Sequence, residues 1–89
     1  MANNKSAKKR IEIAKRNRLQ NLYYKTSVRT LTKLFFKTLK QTPESTEKLQ
    51  TILNSIYSFL DKGTKKNVFH RNTAARKKAR LASALSSNS

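Results

Sequence analysis

Cysteine and tryptophan are absent, glycine and proline occur once each, and only four of the 89 residues are acidic. Each shortage removes options. Without cysteine there is neither a disulfide framework nor a thiolate-ligated zinc site, which fits a reducing compartment. One Gly and one Pro are too few for the turns of a β-sandwich or barrel, so a few long helices are favoured. No apolar run approaches the roughly 18 residues of a transmembrane span. The N-terminus lacks the apolar stretch of a secretory signal. The four acids (Glu12, Glu44, Glu47 and Asp61) are too scattered to assemble the carboxylate cluster of a two-metal nuclease. His70 is the single histidine, with Asp61 nine residues away as its nearest acid, so no metal site is expected. Hydroxyls are plentiful, yet no nucleophile–base–orienter set emerges. The composition points away from an enzyme, and neither a cofactor nor a small-molecule substrate is expected.

What the chain has in excess is positive charge: 21 Lys and Arg against the four acids, net +17. Residues 1–18 carry a net +6, residues 19–42 carry +5 with no acid, and residues 62–89 carry +8 with no acid. Only 43–61 is acidic, at −2. An ordinary solvated surface mixes signs, whereas this one-sided cover opposes compaction and suits a polyanionic partner. The length allows one small domain, able to bury only about 60% of its unfolded surface.

The spacing predicts a long basic helix over Ser6–Gln41, where no Gly or Pro forces a break. Tyr24, Val28, Leu31, Phe35 and Leu39 form an apolar stripe on its second half. Lys25, Arg29, Lys33 and Lys37 recur every four residues on roughly the opposite side. Their like-charged i,i+4 pairs oppose the helix by about 0.2–0.5 kcal/mol each, which makes sense beside an extended anion. Ile11, Leu19 and Leu22 miss the stripe, so the first half is expected to project as an arm ordered mainly by its ligand. A basic tail disordered throughout is the alternative. Thr42 is the expected N-cap and Pro43 the first residue of a second, antiparallel helix. Leu49, Ile52, Leu53, Ile56, Tyr57, Phe59 and Leu60 give that helix a broad apolar face matching the stripe. Asp61–Lys62–Gly63 weakens it, and Asn67 is a plausible left-handed stop. A third helix follows from the Val68–Leu81 segment, with a small-residue seam of Ala74, Ala75, Ala79, Ala82 and Leu85. Tyr23 and Phe36 could either stack on a ligand or join the core.

Two blocks carry a resemblance. Met1–Arg10 (MANNKSAKKR), with Arg16–Asn17–Arg18, Asn21, Tyr24–Lys25–Thr26–Ser27 and Arg29–Thr30, closely resembles the opening of the bacterial-type small-subunit ribosomal protein twenty family. Asp61–Lys62, Lys66 and His70–Leu81 (HRNTAARKKARL) are similar to that family's C-terminal signature. Asn67 stands where the family commonly has Gly, and Ala79 where it commonly has Ser. The resemblance implies an all-α three-helix bundle that binds small-subunit ribosomal RNA directly, helps assembly and stays as a structural component.

The expected RNA-binding residues are Lys5, Lys8, Lys9, Arg10, Lys15, Arg16 and Arg18 on the arm, and Lys25, Arg29, Lys33 and Lys37 beyond it. From the C-terminal block come His70, Arg71, Asn72, Arg76, Lys77, Lys78 and Arg80. Residues 1–89 are read as one ribosomal RNA-binding domain, with 1–5 and 86–89 as flexible ends. The partners expected are small-subunit ribosomal RNA and neighbouring small-subunit proteins, with one copy per ribosome and no membrane. A membrane-active cationic helix or a DNA-compacting protein are the rivals. With no transit peptide before the Met1 motif, synthesis is expected where the ribosome is, in a bacterium or inside an organelle, and Lys exceeds Arg by fourteen to seven, with eight Asn. Those features suit an AT-rich plastid genome and a plastid ribosome, with the bacterial cytoplasm as the alternative.

Overall fold

A computed structural model describes residues 2–88, with side chains from Ser6 to Ser87. Three helices account for the architecture: α1 (Ala2–Gln41), α2 (Thr46–Lys65) and α3 (Arg71–Asn88). There is no strand among the described residues, so the fold is the all-α three-helix bundle expected. α1 begins at Ala2, four residues before the expected start at Ser6.

Length decides the shape. Forty residues of α1 span about 60 Å, close to the 64 Å long axis of the molecule. The twenty residues of α2 reach about 30 Å, so α2 covers only one half of α1. Tyr24, Val28 and Phe35 of the stripe are buried against Leu49, Ile52, Leu53, Ile56 and Leu60 of α2, with Leu31 and Leu39 half-buried beside them. Four side chains are fully buried: Phe35, Leu49, Ile56 and Leu60. Each contributes about 1.5–3 kcal/mol through burial. The rings of Tyr23 and Phe59 lie 5.8 Å apart, which sets the far end of α2 beside the middle of α1 and makes the pair antiparallel. Among the described residues N-terminal to Tyr23 only Gln20 is half-buried, and Ile11, Leu19 and Leu22 are 57–66% exposed. The arm therefore projects. The radius of gyration of 17.5 Å exceeds the roughly 12 Å of a compact chain of this length.

Both connections differ in detail from expectation. Thr42 still serves the last turn of α1, because its N–H and its hydroxyl both donate to the Thr38 carbonyl, at 2.8 and 3.2 Å. It is not the cap of α2, whose N-cap position is Ser45, three residues further on. Pro43 and Glu44 instead form a turn closed by the Ser45 N–H on the Thr42 carbonyl (3.1 Å), and α2 starts at Thr46 behind Ser45. Gly63 does not end α2, which continues to Lys65. Asn67 does stop it, at φ 62°, with its own N–H on the Thr64 carbonyl and the Val68 N–H on the Gly63 carbonyl. That pair of bonds is a Schellman motif, which occupies carbonyls the helix end would otherwise leave unpaired.

α3 leans on α2 more than on α1. Its seam is narrower than expected. Ala74 and Leu81 are buried and Lys78, Ala84 and Leu85 half-buried, whereas Ala75, Ala79 and Ala82 are exposed. The inward positions 74, 78, 81 and 85 step by four, three and four residues, so one line of the helix faces the bundle.

Candidate nucleic-acid interface

The loop between α2 and α3 sets the position of everything that follows. Gly63 is buried beneath the ring of Phe69: a Cβ there would lie 2.5 Å from Phe69 Cδ2. Phe69 in turn joins the core with Ala74. These two stand immediately before the helix and in its second turn, the spacing of a hydrophobic staple, which fixes the angle at which α3 enters. His70 caps α3. Its Nδ1 accepts the Asn72 N–H at 3.1 Å and its carbonyl accepts the Ala74 N–H at 3.0 Å. Because Nδ1 accepts, the ring proton of a neutral His70 sits on Nε2, free of this cap.

α3 so placed leaves a cleft of about 660 Å³ between itself and α1. Lys25, Arg29 and Lys33 border it on the α1 side, and His70, Lys77 and Arg80 on the other. Its floor is apolar, made by Val28, Val68, Phe69 and Leu81. Phe36 also lines it, 40% exposed, with its ring edge-on to the buried Phe35 at 5.4 Å and 83°. Lys77 holds its ammonium 5.6 Å from the centre of the Phe69 ring, a cation–π contact.

The expected site residues fall into four groups. On the arm, Lys8, Lys9, Arg10, Lys15, Arg16 and Arg18 are all exposed; the side chain of Lys5 lies outside those described. In the cleft, Lys25, Arg29, Lys33, His70, Lys77 and Arg80 come together from parts of the chain some forty residues apart. Lys37, Arg71, Asn72 and Arg76 are exposed beyond it. Lys78 stands apart. Its ammonium pairs with Asp61, lies 5.5 Å from the Tyr57 ring centre, and its carbonyl accepts the Tyr57 hydroxyl at 3.1 Å. That is the one ion pair among the described residues, and it ties α3 to α2. Sequence reasoning left Phe36 undecided and did not place Thr32, Thr73 or Phe69. A Val–Phe pair between a left-handed Asn and a capping His was the available signal for Phe69.

Charge is distributed by helix. From Leu49 to Leu60, α2 carries no charged residue, and its outer surface shows Gln50, Thr51, Asn54 and Ser58. Among the described residues no group of acids, histidines or cysteines could hold a metal ion, and no helix is long and apolar enough to cross a membrane.

A helical pair bearing a cationic arm and a cation-rimmed cleft defines a basic helical protein. The chain belongs to the family described as Ribosomal protein S20, whose model matches residues 2–86. It is 66% identical over 90 residues to small ribosomal subunit protein bS20c of Phaeodactylum tricornutum, covering 96% of this chain and 97% of that one. It is 59% identical to the bS20c of Trieres chinensis, with the same coverage. To small ribosomal subunit protein bS20 of Synechocystis it is 50% identical over 92 residues, covering 98% and 95%. The chain is accordingly a structural constituent of the small ribosomal subunit and not an enzyme.

Proposed function

We propose that the chain binds small-subunit ribosomal RNA directly, gripping phosphates of separate RNA helices with α1 and α3 and holding them in register as the subunit assembles. One observation carries this reading: exposed cations of α1 and α3 face each other across one cleft while α2 carries no charge from Leu49 to Leu60. Cations left without acidic partners inside the chain are available to phosphate. Contacts of this kind position RNA and carry little base information, so recognition is chiefly of RNA shape. One copy serves each subunit, and the uncharged Leu49–Leu60 stretch of α2 is left for solvent or neighbouring small-subunit proteins. The bS20c relatives share more of the sequence than the bS20 of Synechocystis, which supports a plastid ribosome as its place of work.

The test is RNA binding across a salt series. By analogy with duplex DNA, six to ten phosphate contacts lower affinity roughly 10³–10⁵-fold between 50 and 200 mM salt. Arg76→Ala and Arg80→Ala are expected to weaken binding with helicity unchanged, since a planar guanidinium holds phosphate bidentately. Variants that bind as tightly as the parent at matched salt would remove α3 from the interface. A chain that fails to sediment with small subunits would remove the reading altogether.

A further inference from the structure

The cleft between α1 and α3 has a composition that phosphate gripping alone does not require. Cations suffice for a backbone, and the exposed arm already offers six of them with described side chains. The cleft adds an apolar floor, an exposed aromatic ring and directed polar groups. We infer that it receives a single unstacked nucleotide of the bound RNA, its base against Phe36 and the Val28–Phe69–Leu81 floor, its flanking phosphates on Lys25, Arg29, Lys77 and Arg80. The inference rests on the RNA-binding reading above.

Three observations select this occupant. The first is size: about 660 Å³ lies within the roughly 300–1,000 Å³ of pockets that hold small ligands, whereas an RNA duplex is too wide to enter. The second is charge: no acid lines the cleft and cations stand on both rims, which suits an anion that also presents a flat apolar face. The third is the polar inventory. The Thr32 hydroxyl donates to the Val28 carbonyl at 2.7 Å, so toward the cleft it can only accept. Nδ1 of His70 is occupied by the Asn72 N–H, so the neutral ring offers Nε2–H as a donor. An acceptor and a donor over an apolar floor match the edge of a base, which carries both. Phe36 is steadied by its edge contact with the fully buried Phe35, so its exposed ring is held in place before a base arrives.

The probe is a pair of short RNA hairpins, one fully paired and one with a single bulged adenosine replaced by fluorescent 2-aminopurine. The full chain is expected to bind the bulged hairpin at least about five-fold more tightly, the lower end of what base–aromatic stacking supplies. Quenching of the 2-aminopurine on binding is expected with it. Phe36→Ala and Phe36→Leu should remove the preference and the quenching, while Phe36→Tyr keeps both. Affinity for the paired hairpin should stay within about two-fold in all three, and circular dichroism of Phe36→Leu, which keeps an apolar side chain in place, guards against a folding defect. Equal binding of both hairpins by the parent, or unchanged preference in both Phe36→Ala and Phe36→Leu, would overturn the cleft assignment and leave RNA binding intact. Failure to bind either hairpin at low salt would overturn both.

Discussion

Gly63 and Phe69 share a space that holds one of them only because the other lacks a side chain. With the ring edge 2.5 Å from where a Cβ would stand, Gly63→Ala must push Phe69 outward. Alanine at a helical site gains about 1 kcal/mol over glycine in propensity. Overpacking a buried site costs about 1–3 kcal/mol, and here the obstacle is the body of a ring rather than the tip of a flexible chain. We expect overpacking to win, with lower urea stability and a displaced α3. A Gly63→Ala chain as stable as the parent would show that Phe69 can yield. Asn67 runs the opposite way. It already adopts φ 62°, a region glycine visits freely and other L-residues occupy at a cost. Asn67→Gly removes that cost but loosens the unfolded chain. Since Asn is the residue that tolerates this region best after Gly, the net gain should be a few tenths of a kcal/mol, read as a small rise in the urea midpoint. His70 caps α3 with Nδ1 and its carbonyl, so Nε2 takes no part in the cap, and the residue also lines the cleft.

At the scale of elements, α1 is one helix with two different jobs. From Tyr24 onward it supplies buried residues to the core, and before that its apolar side chains stay in solvent. The stability of the bundle should therefore be indifferent to the arm. Deleting residues 1–18 is expected to shift unfolding free energy by no more than about 0.5 kcal/mol, the range of substitutions away from buried features. The same deletion removes seven cations, so the slope of log affinity against log salt should flatten. By the relation for DNA, the slope falls by about 0.7–0.9 for each phosphate that is no longer neutralised. Denaturant titration and the salt series measure the two effects separately. Marked destabilisation on deletion would mean that the arm packs in a way the exposures of Ile11, Leu19 and Leu22 do not show. α2 is the brace: uncharged from Leu49 to Leu60, it supplies the largest share of the core.

The whole molecule is drawn out by this division of labour. Its surface of 7107 Å² exceeds the roughly 5,400 Å² of a compact protein of this mass. A small core therefore supports a large cationic surface. Much of this was legible in the chain. The match between the Tyr24–Leu39 stripe and the Leu49–Leu60 face, the projecting arm and the Asn67 stop all follow from spacing along one helix or from the φ preference of one residue. Such features are set by local geometry, which a sequence states directly. The cleft was not legible. Whether Lys33 and Arg80 border the same space depends on how far α3 rotates and where it enters, and that is fixed by Gly63 lying under Phe69. The withdrawal of Lys78 to Asp61 and Tyr57 has the same origin, since it needs two helices at one crossing. Periodicity assigned α1 and α2 their faces; packing between helices, through residues far apart in the chain, decided which line of α3 turns inward and which faces meet.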